Sequence, residues 1–260
     1  MTGPSRIVCL TEETVETLYL LGQEHRIVGV TGYAVRPPRV RREKPRVGAF
    51  TSADVPKIVA LKPDLVLTFS DLQADIAADL IRQGIEVHSF NQRDVAGILR
   101  MIRTLGRLVD CAEAADTLAA GYETRLADLR ARPLASPPKV YFEEWDDPII
   151  TGIGWVSDLI EIAGGTDCFG HLAGEQAAKD RITDPANVIK AAPDIIIGSW
   201  CGKKFAPHKL IARPGWDAIP AVKSGRIHEI KSPLILQPGP AALTDGLDAL
   251  CAIIRKDGPC

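Results

Sequence analysis

The chain has 260 residues, 46% of them hydrophobic and 25% charged, enough for one large core or two smaller ones. Lys+Arg 31 against Asp+Glu 33 leave a formal net charge of -2, which excludes a whole-molecule field that recruits nucleic acid or an anionic membrane surface. No run approaches the roughly 18 consecutive apolar residues of a membrane span.

Met1 to Ser5 is short and polar, and Arg6-Ile-Val-Cys-Leu10 already reads as a strand. No basic start followed by an apolar stretch precedes it, so the expectation is a cytoplasmic protein, or a periplasmic one if an export signal has been removed. A helical segment rich in Leu runs from there to Gly22, a residue type that often ends helices. The Pro-rich loop that follows crowds Arg36, Arg39, Arg41, Arg42, Lys44 and Arg46 around the single acid Glu43. With no aromatic residue interleaved, it is expected to be solvated surface and not a nucleic-acid site.

Val55-Pro-Lys-Ile-Val-Ala-Leu-Lys-Pro-Asp-Leu-Val-Leu-Thr-Phe69 sets apolar residues at helical spacing, then a Pro-Asp turn, then a continuous apolar strand of the kind buried in a parallel sheet. Residues 95–131 read as a long helical stretch with a break near Gly106 to Asp110. Its second part aligns Ala115, Leu118, Tyr122, Leu126 and Leu129 in one stripe. After the break at Pro133 to Pro138, Lys139-Val-Tyr-Phe-Glu143 opens a second array whose first helix ends at Gly164-Gly165. Pro185-Ala-Asn-Val-Ile-Lys-Ala-Ala-Pro-Asp-Ile-Ile-Ile-Gly-Ser199 then repeats the earlier motif. Asp54 and Asp184, each nine positions before the repeated proline, are placed to cap the two short helices. The expected fold is α/β: two Rossmann-like lobes with parallel sheets, over 1–94 and 133–260, joined by a long helix over 95–132, with a ligand cleft between the lobes.

These motifs, with Gly84-Ile-Glu-Val87, Gly164-Gly165 and Arg213-Pro-Gly-Trp-Asp-Ala-Ile-Pro-Ala-Val222 followed by Gly225-Arg226, resemble the substrate-binding proteins for vitamin B12 and ferric siderophores over nearly the whole chain. The resemblance implies non-catalytic binding of a corrinoid (cobalamin-like) or related metal chelate, iron chelates among them. In the B12 members, a glutamate seven residues before the proline of each Pro-Asp turn pairs with arginines of a membrane permease. Here those positions are Pro56 and Ala186, which accept no ion pair. Without dock or leader, the main expectation is a cytoplasmic carrier, store or sensor. The alternative is the substrate-binding subunit of an ABC transporter with atypical docking. Lobe tips free of a permease would also suit a homodimer.

In doubly wound lobes the ligand meets loops at the carboxyl ends of strands. This rule selects Thr11, Glu12 and Glu13, then Tyr33, Phe50, Thr51, Ser70 and Asp71 from the first half. From the second it selects Glu144, Trp145, Trp155, Trp200 and Cys201. The rings of Trp145 and Trp200 are expected to project toward the ligand and stack on a flat macrocycle. The six cysteines, at 9, 111, 168, 201, 251 and 260, form no close pair and read mostly as reduced thiols. Cys201, ahead of Lys203 and Lys204, is the one candidate metal ligand or nucleophile, and so carries a further alternative: a metal-centre protein or enzyme. The acids at two strand ends offer either a hard-cation site or acceptors for amides on a ligand rim, while Lys179-Asp180-Arg181 offers countercharges that would neutralise them.

Overall fold

The structure is a computed structural model that describes residues 3–255. Its contacts divide the chain into two units, Met1–Gln92 with Ala96–Gly121, and Arg93–Val95 with Tyr122–Cys260.

The first unit opens with β1 (Ile7–Cys9), α1 (Glu12–Leu20), β2 (Ile27–Val30) and α2 (Val40–Glu43). It continues with α3 (Val55–Ala60), β3 (Leu65–Phe69), α4 (Ala74–Arg82) and β4 (Val87–Phe90). The strands lie in the order β2-β1-β3-β4 and every pairing is parallel. Every residue of β1 and β3 is buried, as both faces of a helix-covered parallel sheet require, which is why these strands are unbroken apolar runs. Val8, Leu10, Val47, Ile58, Val66 and Leu80 form one buried cluster of this unit.

α5 (Val95–Leu108) and α6 (Ala112–Arg130) make up the predicted long helical stretch, which the structure breaks at Val109 to Cys111. The break has a packing cause. A Cβ on Gly106 would fall 2.1 Å from that of Ala115, and the Cys111 amide donates to the Gly106 carbonyl at 2.8 Å. Only glycine permits that approach.

The second unit carries β5 (Lys139–Asp146), β6 (Ile149–Thr151), α7 (Gly154–Ile162), β7 (Thr166–Asp167), α8 (Pro185–Ala191) and β8 (Ile195–Gly198). It ends with α9 (Pro207–Ile211), α10 (Pro220–Lys223), β9 (Ile227–Glu229), α11 (Ser232–Ile235) and α12 (Leu247–Ile254). Its order is β6-β5-β8-β9, with β7 beside the start of β5. The expectation of a wholly parallel sheet needs one correction, because β6 runs antiparallel to β5. The chain reverses at Asp147-Pro148, and strands joined by so short a connection pair only in that sense.

The sequence repeat has a physical basis. Asp54 accepts from the Lys57 amide at 3.0 Å and Asp184 from the Ala186 amide at 2.7 Å, so both cap their helices. Lys62 and Ala192, just before the repeated proline, both adopt the left-handed conformation (φ 49 and 50). The Pro-Asp aspartate then reaches back to the start of the neighbouring strand: Asp64 accepts from the Ser5 and Arg6 amides at 2.7 and 2.9 Å, and Asp194 from the Lys139 amide at 2.9 Å. Burial raises the Asp64 pKa, but these amide bonds outweigh it and hold the carboxyl below its ordinary value. Each motif therefore builds a capped helix, a sharp turn and a clamp on the first strand of its own sheet.

Candidate functional site

In the first unit the carboxyl ends of the four parallel strands bring together most of the residues selected from sequence. α1 starts three residues after β1, with Glu12 and Glu13 as its first two members. A helix N-terminus favours negative charge. Here desolvation outweighs that preference: burial pushes Glu12 up to about 6, and burial followed by the charge of Glu12 pushes Glu13 up to about 8. Glu13 is 2% exposed and its Oε1 has no hydrogen-bond partner. The next acid on the helix, Glu16, is paired with Arg36 at 2.7 Å.

At the end of β3, Ser70 sits at φ 60, ψ -179, a region that costs a non-glycine residue about 1–3 kcal/mol. Its hydroxyl accepts from the Leu72 amide at 3.3 Å. Gln73, which sequence reasoning missed, organises the edge. Its Oε1 accepts from the Phe69 amide at 3.0 Å, while Nε2 donates to the carbonyls of Leu10 at 3.2 Å and Phe50 at 2.7 Å. One buried side chain thus ties the ends of β1 and β3 to the loop that carries Phe50 and Thr51. No periodicity marks such a residue; the only signal is a glutamine where a helix begins. Around this polar frame Tyr33 is 50% and Leu72 58% exposed, Thr51 and Asp71 are exposed, and Phe50 is half-buried at 6.5 Å from the Phe69 ring.

The crowded basic loop is engaged within the unit. Arg39 pairs with Glu24 at 3.0 Å and lies over the Tyr19 ring, and Lys44 donates to the carbonyls of Glu24 and Ile27.

In the second unit the strand ends differ from expectation. Trp200 does not project toward a ligand: it is 3% exposed in a hydrophobic cluster, with its ring 5.0 Å from Phe205 and its Nε1 donating to Glu143 at 3.0 Å. A buried indole N–H needs an acceptor, and Glu143, fully buried on β5, supplies it while also accepting from Tyr141 at 2.8 Å and Arg213 at 3.0 Å. Trp155 is corrected likewise, since it is 3% exposed and donates to the Ile235 carbonyl at 2.8 Å. Trp145 alone of the three stays half-exposed, with the Lys203 ammonium 3.9 Å from its ring centroid and paired to Asp146. Glu144 is paired with Arg181 at 2.7 Å, so the countercharge reading holds for this acid.

Cys201 is exposed in the loop after β8, its amide donating to the Glu144 carbonyl at 3.3 Å. Among the described residues no three His, Cys, Asp or Glu side chains gather to hold a metal, so Cys201 has no ligand set to complete. Burial pushes the Cys9 and Cys168 thiols up to about 12, which keeps them protonated and inert. Cys9, Cys111, Cys168 and Cys201 are reduced, as the sequence reading of mostly reduced thiols has it, and Cys251 is the exception, being disulfide-bonded. Cys260 lies outside the described residues. A cavity of about 500 Å³ in this unit is lined by Cys168, Phe169, His171 and Lys190 among others, between the end of β7 and α8. No helix among the described residues is long and apolar enough to cross a membrane.

Two α/β units built on parallel strands, each with polar and aromatic groups at the strand carboxyl ends, are the architecture of a two-unit ligand binder. Residues 7–234 match the periplasmic binding protein family, and the chain belongs to it. It is 28% identical over 266 residues to an uncharacterized ABC transporter substrate-binding lipoprotein of Bacillus subtilis, covering 98% of this chain and 81% of that one. It is 24% identical over 258 residues to the vitamin B12-binding protein of Vibrio cholerae, covering 96% and 89%. Among solved structures it is similar to the periplasmic heme-binding protein RhuT of Roseiflexus sp. RS-1, with a TM-score of 0.81 and 25% identity over 97% of this chain and 100% of that one. The α/β two-unit fold and the family resemblance read from sequence are thus confirmed. The expectation of a cytoplasmic protein finds no support in these relatives, whose names place them as a lipoprotein and a periplasmic protein.

Proposed function

We propose that the chain is the substrate-binding subunit of an ABC transporter, working outside the cytoplasmic membrane and taking a corrinoid or related metal chelate on its strand-end loops. One observation carries this reading. Tyr33 and Leu72, at the carboxyl ends of β2 and β3, leave half or more of their surface exposed around a polar frame that Gln73 locks in place. Burial would stabilise such side chains by about 1.5–3 kcal/mol each, and a flat macrocycle offers the surface that covers them. The names of the relatives point to the same class of ligand. Cys251, with its disulfide, suits an oxidising compartment.

The reading replaces the cytoplasmic carrier as the main hypothesis. Pro56 and Ala186 lie exposed in the first turns of α3 and α8 and offer no carboxylate, while Asp54 and Asp184 are engaged as caps. The permease contact of this chain therefore rests on groups other than the paired glutamates.

The test is a titration with hydroxocobalamin and, separately, with hemin, followed by visible absorption on the wild type and Tyr33→Ala. Saturable binding of one of them at micromolar concentration or below, weakened about tenfold by the substitution, is the expected result. Failure of both to bind overturns the reading.

A further inference from the structure

We infer that the cavity between the end of β7 and α8 is a second ligand site, separate from the strand-end loops, and that it takes a small organic anion with an apolar body. Every residue that lines it belongs to the second unit.

At about 500 Å³ the cavity has the size of a site for one small molecule, a class that spans about 300–1,000 Å³. The segment after β7 supplies one side, and α8 with the loop leading into it supplies the other. Phe169, Leu172, Cys168 and Ile182 give the apolar lining. Burial pushes the Cys168 thiol up to about 12, so it stays protonated and acts as a small apolar surface. Ile182 is 45% exposed although Arg181 and Thr183 on either side of it are buried. A branched hydrocarbon left open beside a cavity is surface that the apolar body of a ligand would cover.

The polar lining is made of donors. Thr183 is 9% exposed; its hydroxyl accepts from the Asn187 side chain at 3.4 Å, and its own proton reaches no acceptor among the described residues. Lys190, one turn beyond Asn187 on α8, is exposed and has no ion-pair partner among the described residues. Thr183, Asn187 and Lys190 follow one another at helical spacing, which sets them along one face. No acid lines the cavity. Asp167 and Asp184 flank lining residues in the chain, and the charge of Asp194 acts on Cys168, but all three are committed elsewhere. Asp167 accepts from the Ser157 hydroxyl and the Phe169 amide, Asp184 caps α8, and Asp194 holds the Lys139 amide. A cation would therefore find no ligands here, and a neutral molecule would leave Lys190 without a counter-charge. A carboxylate or sulfonate answers both Lys190 and the Thr183 hydroxyl.

The experiment is a fluorescence titration with 8-anilinonaphthalene-1-sulfonate, followed by displacement with octanoate or with octanamide, which share a chain and differ in charge. Saturable binding at about 100 μM or below is expected, with octanoate displacing the probe at a concentration at least about tenfold lower than octanamide. Lys190→Glu, at an exposed position, should weaken the probe at least about tenfold, whereas Lys209→Glu, the same charge change on α9 outside the cavity, should alter it by less than about twofold. Thr183→Val keeps the shape, removes the hydroxyl and should weaken the probe about threefold. Absence of saturable binding, equal displacement by octanamide, or a loss no greater in Lys190→Glu than in Lys209→Glu overturns the inference. None of these results bears on the hydroxocobalamin and hemin titrations, so the proposed function stands or falls separately.

Discussion

Replacing Glu13 by Gln should shift stability by an amount that depends on pH and moves increasingly in the variant's favour as pH rises from about 4.5 to about 8. The carboxyl is 2% exposed, and burial together with the charge of Glu12 pushes it from its ordinary 4.5 up to about 8. A group raised in this way contributes its full stability below the unfolded value and loses it as pH rises through the folded value. The ionised chain prefers the unfolded state, so folding at pH 7 requires keeping the proton across the interval from 4.5 to 7. At about 1.4 kcal/mol per pH unit this costs about 3 kcal/mol. Glutamine keeps the shape and carries no titrating proton. Its amide group adds a contribution of its own, favourable or not, which does not vary with pH. The quantity to measure is therefore the slope. Urea unfolding of wild type and Glu13→Gln from pH 4 to 9 should give a stability difference that is flat below about 4.5, increasingly favours the variant up to about 8 and is level above that. A difference that stays constant over the whole range would refute the claim that Glu13 folds as a buried acid.

Two further outcomes test the second unit. Glu143→Ala removes the shared acceptor of Tyr141, Trp200 and Arg213 and strands the guanidinium in the interior, which should lower stability by about 3–5 kcal/mol; a loss under 1 kcal/mol in a urea melt would mean that Arg213 finds solvent instead. Gly198→Ala would set a Cβ 1.9 Å from the Phe205 ring, so the ring must leave its place against Trp200; about 1–3 kcal/mol of destabilisation with a shifted indole emission is expected, and an unchanged melt and spectrum would show that the loop yields freely.

The site residues separate into those that chain position locates and those that it misplaces. Glu12, Glu13, Tyr33, Ser70 and Asp71 lie at strand ends because a strand's end follows from the end of its apolar run, and the carboxyl edge of a parallel sheet is where the next loop begins. Trp200 and Trp155 follow the same rule of position and are nevertheless buried, because the direction of a side chain beyond a strand end depends on which acceptors lie near it. Those acceptors, Glu143 and the Ile235 carbonyl, are 57 and 80 residues away in the chain. Gln73 was invisible for the same reason, since two of its three partners belong to other loops.

By itself the sequence determined the duplicated α/β plan, because the capped short helix, the Pro-Asp turn and the apolar strand are local devices set by backbone geometry and burial periodicity within about fifteen residues. Tertiary structure alone decided the rest: that β6 turns back along β5, and that Glu143 is neutralised by Arg213 while Glu13 has no cation among the described residues. Each of these depends on groups distant in the chain meeting in a space from which water is excluded, where pairing or its absence sets the energy.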